Sequence, residues 1–273
     1  MTTLPVTGNQ VPRHPGATRP RRVALFATCI GDFATPGPVT ATVEVLRAMG
    51  FSVDIPAAQT CCGQPALNSG FPREAARVQA HLLDSLDGAD AVVTPAGSCA
   101  AMIAHHGPRL LGPTAAGRAG VAHLWEFTQF VEAFGQDLDL ALDATVTYHD
   151  GCHMTRFLGE RSTPRALLSR IRGLQLVEMR DSTTCCGFGG TFAAKLPELS
   201  VAMGDVKLAN AQDTRAHYLV SADPGCLLHL QTRADATGRA VTTRHIAELV
   251  RDALPRTERR EPAGRTSERE AGS

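Results

Sequence analysis

The chain is 273 residues long, 43% hydrophobic and 20% charged, with 27 basic and 27 acidic residues and a formal net charge of zero. That balance gives no global charge for binding nucleic acid or an anionic membrane, and the composition is that of a globular protein. No apolar run approaches a membrane span, and the stretch before Arg21 lacks a signal-peptide core, so the expected compartment is the cytoplasm.

In a reducing cytoplasm, eight cysteines point to metal or redox chemistry rather than to structural disulfides. Basic charge is carried by arginine except at Lys195 and Lys207, a bias to which we attach no function.

Residues 1–20 contain four prolines, two glycines and no acidic residue, a composition expected to be disordered. The first repeat, 21–135, opens with the apolar run RRVALFATC, which ends at Cys29. A Gly/Pro-rich turn (GDFATPGP) leads to a helical pattern, VTATVEVLRAMG, closed by Gly50. FSVDIP reads as a strand running into TCCG, and PREAARVQAHLLDSLDG reads as an amphipathic helix. DAVVTPAGSC reads as a strand ending at Cys99. The segment HLWEFTQFVEAFG is expected to be one helix, with Trp125, Phe127, Phe130 and Phe134 at core spacing.

The order then returns in a second repeat, 136–255. ATVTYHDGC is a strand ending at Cys152, TPRALLSRIRG is a helix, and LQLVEM is a strand leading into TTCCGFGG. PELSVAMGDVKLANAQDT is a helix, HYLVSADPGC a strand delivering Cys226, and HIAELVRDAL a closing helix opened by His245. Residues 256–273 are expected to form a second disordered tail.

Cysteines 29, 61, 62 and 99 recur as 152, 185, 186 and 226, offset by 123, 124, 124 and 127 residues, and none is left over. The chain therefore reads as two tandem α/β repeats with mainly parallel sheets, each cysteine following a strand. Ligands of such sheets gather at the carboxyl ends of the strands, so each set of four thiols should meet at one sheet edge.

Thiols at that density suit zinc or an iron–sulfur centre. Zinc sites usually draw on C-x-x-C pairs, and this sequence has none. Adjacent cysteines on an extended backbone point apart, which suits a cluster spanning several ångströms better than one ion. Gly63, Gly187, Gly189 and Gly190 let backbone N–H groups approach anionic sulfur. A strained vicinal disulfide is the third option, but it leaves Cys29, Cys99, Cys152 and Cys226 unexplained.

The spacing C-x31-CC-x36-C, then C-x32-CC-x39-C, with glycine after each pair, resembles the tandem CCG cysteine-rich domain. That domain occurs in the cysteine-rich component of heterodisulfide reductase and in iron–sulfur subunits of glycolate- and glycerol-3-phosphate-oxidising enzymes. The segments PAGSCAAM, HDGCHMTR, CCGFGGTF, DPGCLLHLQ and RHIAEL are most similar to the lactate utilization protein A family. The resemblance covers about residues 22–255. It implies a cytoplasmic iron–sulfur electron-transfer subunit of an NAD-independent complex oxidising L-lactate to pyruvate.

The resemblance further implies a [4Fe–4S] centre per repeat, with Cys29, Cys61, Cys62 and Cys99 in one and Cys152, Cys185, Cys186 and Cys226 in the other. Two partner proteins are implied, at least one carrying ferredoxin-like clusters, because the ferredoxin-like module of larger relatives is missing here. Those relatives end each repeat in C-x-x-C; here one thiol is absent per repeat, at Ala96 and Asp223 or at Met102 and His229.

The alternatives are a heterodisulfide or thiol–disulfide reductase-type subunit, a glycolate-oxidase-type subunit, or a zinc-stabilised assembly module without redox activity. No glycine fingerprint for NAD stands between a strand and a helix, and no FAD site is recognised. His149, Asp150 and His153 flank Cys152 and His229 follows Cys226; these histidines are candidates to surround a cluster or to line a polar strand end. His105 and His106 are expected on a surface loop.

Overall fold

Among the described residues, eight strands of two to eight residues carry the architecture. The structure, a computed structural model, describes residues 17–112 and 123–255. The first sheet contains β1 (Val23–Leu25), β2 (Val53–Asp54), β3 (Ala91–Thr94) and β4 (Leu124–Glu126) in the order β2-β1-β3-β4. The second contains β5 (Ala141–Tyr148), β6 (Arg172–Leu176), β7 (Tyr218–Ser221) and β8 (Thr243–His245) in the order β6-β5-β7-β8.

All pairings are parallel, with Val23 opposite Val53 and Ala91 in the first sheet, and Val146 opposite Leu176 and Tyr218 in the second. Each chain half runs outward from β1 or β5, then returns past it. A switch point therefore lies between β1 and β3, and another between β5 and β7. Loops leaving such points diverge and open a crevice for a ligand.

β4 and β8 correct the sequence reading. Trp125 lies on a strand, and the helix begins only at Phe127 and runs to Phe134, capped by the Glu126 carboxylate accepting from Thr128 N at 2.8 Å. Trp125, Phe127 and Phe130 are nevertheless buried as expected, with Phe134 packed against them. His245 opens the closing helix Ile246–Ala253 as its cap, its Nδ1 accepting from Ala247 N at 3.1 Å.

A further helix, Pro224–Thr237, follows β7 and carries Cys226 in its first turn. The supposed turn after Cys29 is a short helix, Cys29–Phe33, followed by helix Pro36–Ala48. His105 and His106 are not on a loop: they end a π-helical turn, Met102–His106, half-buried against Phe157.

The two repeats share one core. Helix Ile246–Ala253 of the second lies on helix Pro36–Ala48 of the first, joining Val45 and Leu46 to Leu249 and Val250 in a single buried cluster. Arg251 pairs with Glu44 across that contact at 3.6 Å. Reciprocally, helix Phe127–Phe134 packs on helix Ser162–Ser169, where Thr128 Oγ1 meets Thr163 Oγ1 at 2.8 Å and Arg170 pairs with Glu132 at 2.7 Å. Each closing helix thus covers the other repeat's apolar face.

Of the predicted N-terminal extension, residues 17–20 are described, and Arg19 stacks 4.1 Å over Phe51 while donating to the Met49 carbonyl. Residues 1–16 and the predicted tail, 256–273, lie outside the described residues. Among the described residues, no helix is long and apolar enough to cross a membrane.

Candidate functional site

Cys29, Cys99, Cys152 and Cys226 each sit in the first turn of the helix just past β1, β3, β5 and β7. The vicinal pairs occupy turns after β2 and β6, which bring them to the same sheet edges. The structure places the four predicted cysteines of each repeat together. In the first, Cys29 Sγ donates to Cys61 Sγ at 3.6 Å, and Cys62 bridges between Cys61 and Cys99. In the second, Cys152 reaches Cys185, and Cys186 Sγ donates to Cys226 Sγ at 3.0 Å. Both sets line one cavity of about 160 Å³ that opens to solvent between the repeats.

Glycine follows each pair for a steric reason. Gly63 and Gly187 have φ of +87° and +94°, in the left-handed region open chiefly to glycine. A Cβ on Gly63 would stand 2.8 Å from the Ala75 carbonyl oxygen, and one on Gly187 2.4 Å from that of Ser200. The turn also aims amides at sulfur: Gly63 N lies 3.4 Å from Cys61 Sγ, Gly187 N 3.4 Å from Cys185 Sγ, and Phe188 N 3.5 Å from Cys186 Sγ.

Sulfur–sulfur contacts single out one thiol in each set as an anion with two donors. Hydrogen bonds from Cys29 and Cys62 pull the Cys61 pKa down to about 3, and bonds from Cys152 and Cys186 pull Cys185 to about 2. Cys29 and Cys152 are raised by the bonds they give and by burial, as are Cys62 and Cys186. Cys226 is raised by burial and the Asp223 charge, against the bond from Cys186. A preformed thiolate with three more thiols in contact is a donor set for a soft metal, and the amides aimed at the sulfurs suit the anionic sulfur of an iron–sulfur cluster. The residues therefore fit such a group.

The corners are braced differently. In the first repeat, Gln59 Oε1 accepts from Ala27 N at 2.7 Å, and Gln79 Nε2 donates to the Cys62 and Met102 carbonyls at 3.4 Å each. In the second, Asp150 takes two bonds from Arg165 at 2.8 and 2.9 Å and one from Ser182 Oγ at 2.7 Å. Arg165 and Ser182 hold Asp150 below its ordinary pKa against the opposing effect of burial. Lys207, fully buried, donates to the Asp181 and Ser182 carbonyls at 2.5 and 3.2 Å, just before the vicinal pair.

Asp223 ties the repeats together. Its Oδ2 accepts from Ser98 N of the first repeat at 2.8 Å, and its Oδ1 from Gly225 N and Cys226 N at 3.2 and 3.4 Å. Gly97 N adds a bond to the Ala222 carbonyl at 3.0 Å. Sequence reasoning presents Asp223 only as the place of a missing thiol. Its signal is the run Asp-Pro-Gly, a cap followed by proline at the first helical position. Lys207 is missed in the same way, although a lone lysine among apolar helix positions is a visible signal.

The histidines separate. His153 lines the cavity with Nδ1 3.5 Å from Cys152 Sγ, and burial lowers its pKa. His229 turns the other way, toward helix Pro197–Asp213, where a Cβ on Gly204 would stand 3.0 Å from its Nε2. His149 is fully buried, and its ligand atom, Cys186 Sγ and Cys226 Sγ all lie within 4.8 Å of one another. Burial and then the Lys207 charge lower its pKa to about 4, leaving the ring neutral.

Comparison with known proteins agrees with this layout. The model of the CCG cysteine-rich domain matches residues 23–104 and 146–231. A lactate utilization protein A from Geobacillus sp. (strain WCH70) is 40% identical over 235 residues, covering 84% of this chain and 98% of that protein. One from Geobacillus kaustophilus is 41% identical over 234 residues, with the same coverage. A crystal structure of a hypothetical protein from Helicobacter pylori superposes with a TM-score of 0.60 at 11% identity, covering 86% of this chain and 49% of that one.

Proposed function

Because the chain belongs to the lactate utilization protein A family of tandem CCG cysteine-rich proteins, we propose that it is the iron–sulfur electron carrier of a multi-protein system oxidising L-lactate to pyruvate. The observation that carries this reading is the pair of four-thiol sets facing one cavity. Cys29, Cys61, Cys62 and Cys99 hold one centre, and Cys152, Cys185, Cys186 and Cys226 the other.

Oxidation of L-lactate to pyruvate releases two electrons and two protons, whereas an iron–sulfur cluster when bound takes up and passes on electrons singly. Two centres in one chain match that stoichiometry. The protein's own part is to hold the thiols in contact, keep one per set ionised, and aim amides at the sulfurs. The buried walls around Cys62, Cys99, Cys186 and Cys226 exclude water from one side of each set. Electrons arrive from and leave to partner proteins, at least one with ferredoxin-like clusters, and the assembly works in the cytoplasm.

Anaerobic purification followed by iron, sulfide and zinc analysis, with EPR before and after reduction, tests the cofactor. Stoichiometric zinc without iron refutes the reading. Deleting the gene and comparing growth on L-lactate with growth on glycolate tests the substrate; a defect confined to glycolate would move the assignment to that acid.

A further inference from the structure

The two thiol sets are related by the repeat, but their surroundings are not. Counting back three residues from Cys29 and from Cys152 gives Phe26 and His149, both fully buried directly after β1 and β5. The glycine contacts fix the helix register: Gly63 packs on Ala75 and Gly187 on Ser200, so Leu82 of the first repeat corresponds to Lys207 of the second. Both are fully buried. An apolar pair in one repeat has become an imidazole and an ammonium in the other.

Lys207 is satisfied by two carbonyls, but His149 is not. Neither His149 Nδ1 nor Nε2 makes a well-formed hydrogen bond among the described residues; the Ser182 carbonyl lies near enough to act on one of them, which leaves the other nitrogen open. A fully buried ring nitrogen left open is costly, so its retention calls for a partner not yet named. The nearest soft donors are Cys186 Sγ and Cys226 Sγ, grouped with it inside 4.8 Å. The other histidines do not compete for this place: His229 is turned to Gly204, and His153 sits by Cys152 at the cavity wall.

We propose that His149 is a nitrogen ligand to the metal centre of the second repeat, completing a donor set with Cys186 and Cys226, while the first repeat, with Phe26 in that place, has a centre held by sulfur alone. This rests on the reading that the thiol sets hold metal. It supplies a fifth donor in the second repeat, where the C-x-x-C of larger relatives is incomplete. It also makes the two centres chemically unlike. Relative to a fifth thiolate in that place, a neutral imidazole carries one negative charge less and gives a higher reduction potential, as where histidines replace cysteines in other iron–sulfur centres. The buried Lys207 ammonium, next to the loop that carries Cys185 and Cys186, acts in the same direction.

The test uses the full-length protein purified anaerobically with its metal, grown with ordinary or with 15N-labelled histidine. Pulsed EPR of the reduced protein should show one centre coupled to a histidine nitrogen, with a coupling that changes to the 15N pattern on labelling, and a second centre without it. His149→Phe, which copies the first repeat, should lose that coupling. His149→Cys, in which a thiolate can keep the metal in place, should retain two centres, lose the coupling and shift the second potential downward. No histidine coupling in iron-loaded wild-type protein, or a coupling that survives in His149→Cys, overturns the proposal. If metal analysis finds zinc, the iron–sulfur reading fails separately. X-ray absorption at the zinc edge then decides this one: imidazole scattering lost in His149→Cys supports it, and an all-sulfur shell overturns it.

Discussion

Replacing Gly187 by alanine tests why glycine must follow each vicinal pair. An L side chain at φ +94° is strained by about 1–2 kcal/mol. The added Cβ would stand 2.4 Å from the Ser200 oxygen and 3.0 Å from Met203 Cβ. Carbon–oxygen contacts settle at roughly 3.3 Å, so the turn and helix Pro197–Asp213 would have to separate by roughly 0.9 Å. Overpacking of that size costs about 2–3 kcal/mol, and the stiffer unfolded chain offsets about 0.4–1.

The net loss is about 2–5 kcal/mol for Gly187→Ala. At Gly63 the corresponding approach is 2.8 Å, a shortfall of roughly 0.5 Å, and the loss is about 1–3 kcal/mol. Urea unfolding followed by circular dichroism should give a lower midpoint for both, and the lower one for Gly187→Ala. In protein that remains folded, EPR should show the second centre depleted and the first retained. An unchanged midpoint with full metal content in Gly187→Ala, or a reversed order of the two variants, would refute the steric argument.

Asp223→Ala removes the acceptor for Ser98, Gly225 and Cys226 amides and should destabilise the fold by about 2–3 kcal/mol, with Asp223→Asn recovering most of it in the same urea assay. Glu126 is buried, and burial raises its pKa from 4.5 to about 8. Its stabilising contribution is complete below pH 4.5 and is lost as the pH rises toward 8. Relative to Glu126→Gln, the wild type should lose about 3 kcal/mol between pH 4.5 and 7; a pH-independent difference would exclude burial of the ionisable acid as the cause. Cys186→Ser should abolish one EPR signal and leave the other largely intact, and survival of both would show that Cys186 is not a ligand.

Much of this layout is readable from the cysteines, because a period of about 124 residues and strand-sized apolar runs are local signals. They point to two parallel α/β repeats with thiols at the strand ends. The misreadings have one cause. β4 and β8 are three residues each and run directly into helices, so Leu124–Glu126 and Thr243–His245 show no alternation of their own. Only pairing with β3 and β7 makes them strands, and pairing is a long-range property. Helix Pro224–Thr237 is hidden because its first turn looks like the end of a strand.

The site divides the same way. Thiol identity and grouping are legible; the roles of Lys207, Gln79 and Asp223 are not, since each acts on a segment distant in sequence. His149, His153 and His229 are equally visible as neighbours of cysteines, and only the packing sends them in three directions.

The crossed closing helices have a consequence for how the molecule can come apart. Helix Ile246–Ala253 roofs the first repeat and helix Phe127–Phe134 the second, so neither half can open without uncovering its twin. Unfolding should be concerted, with no long-lived species in which one thiol set is intact while the other is bared to oxidants. The same reciprocity is what a symmetric pair of separate single-repeat chains would have used at their interface. Joined in one chain, the halves no longer had to remain identical, and a phenylalanine on one side could diverge from a histidine on the other.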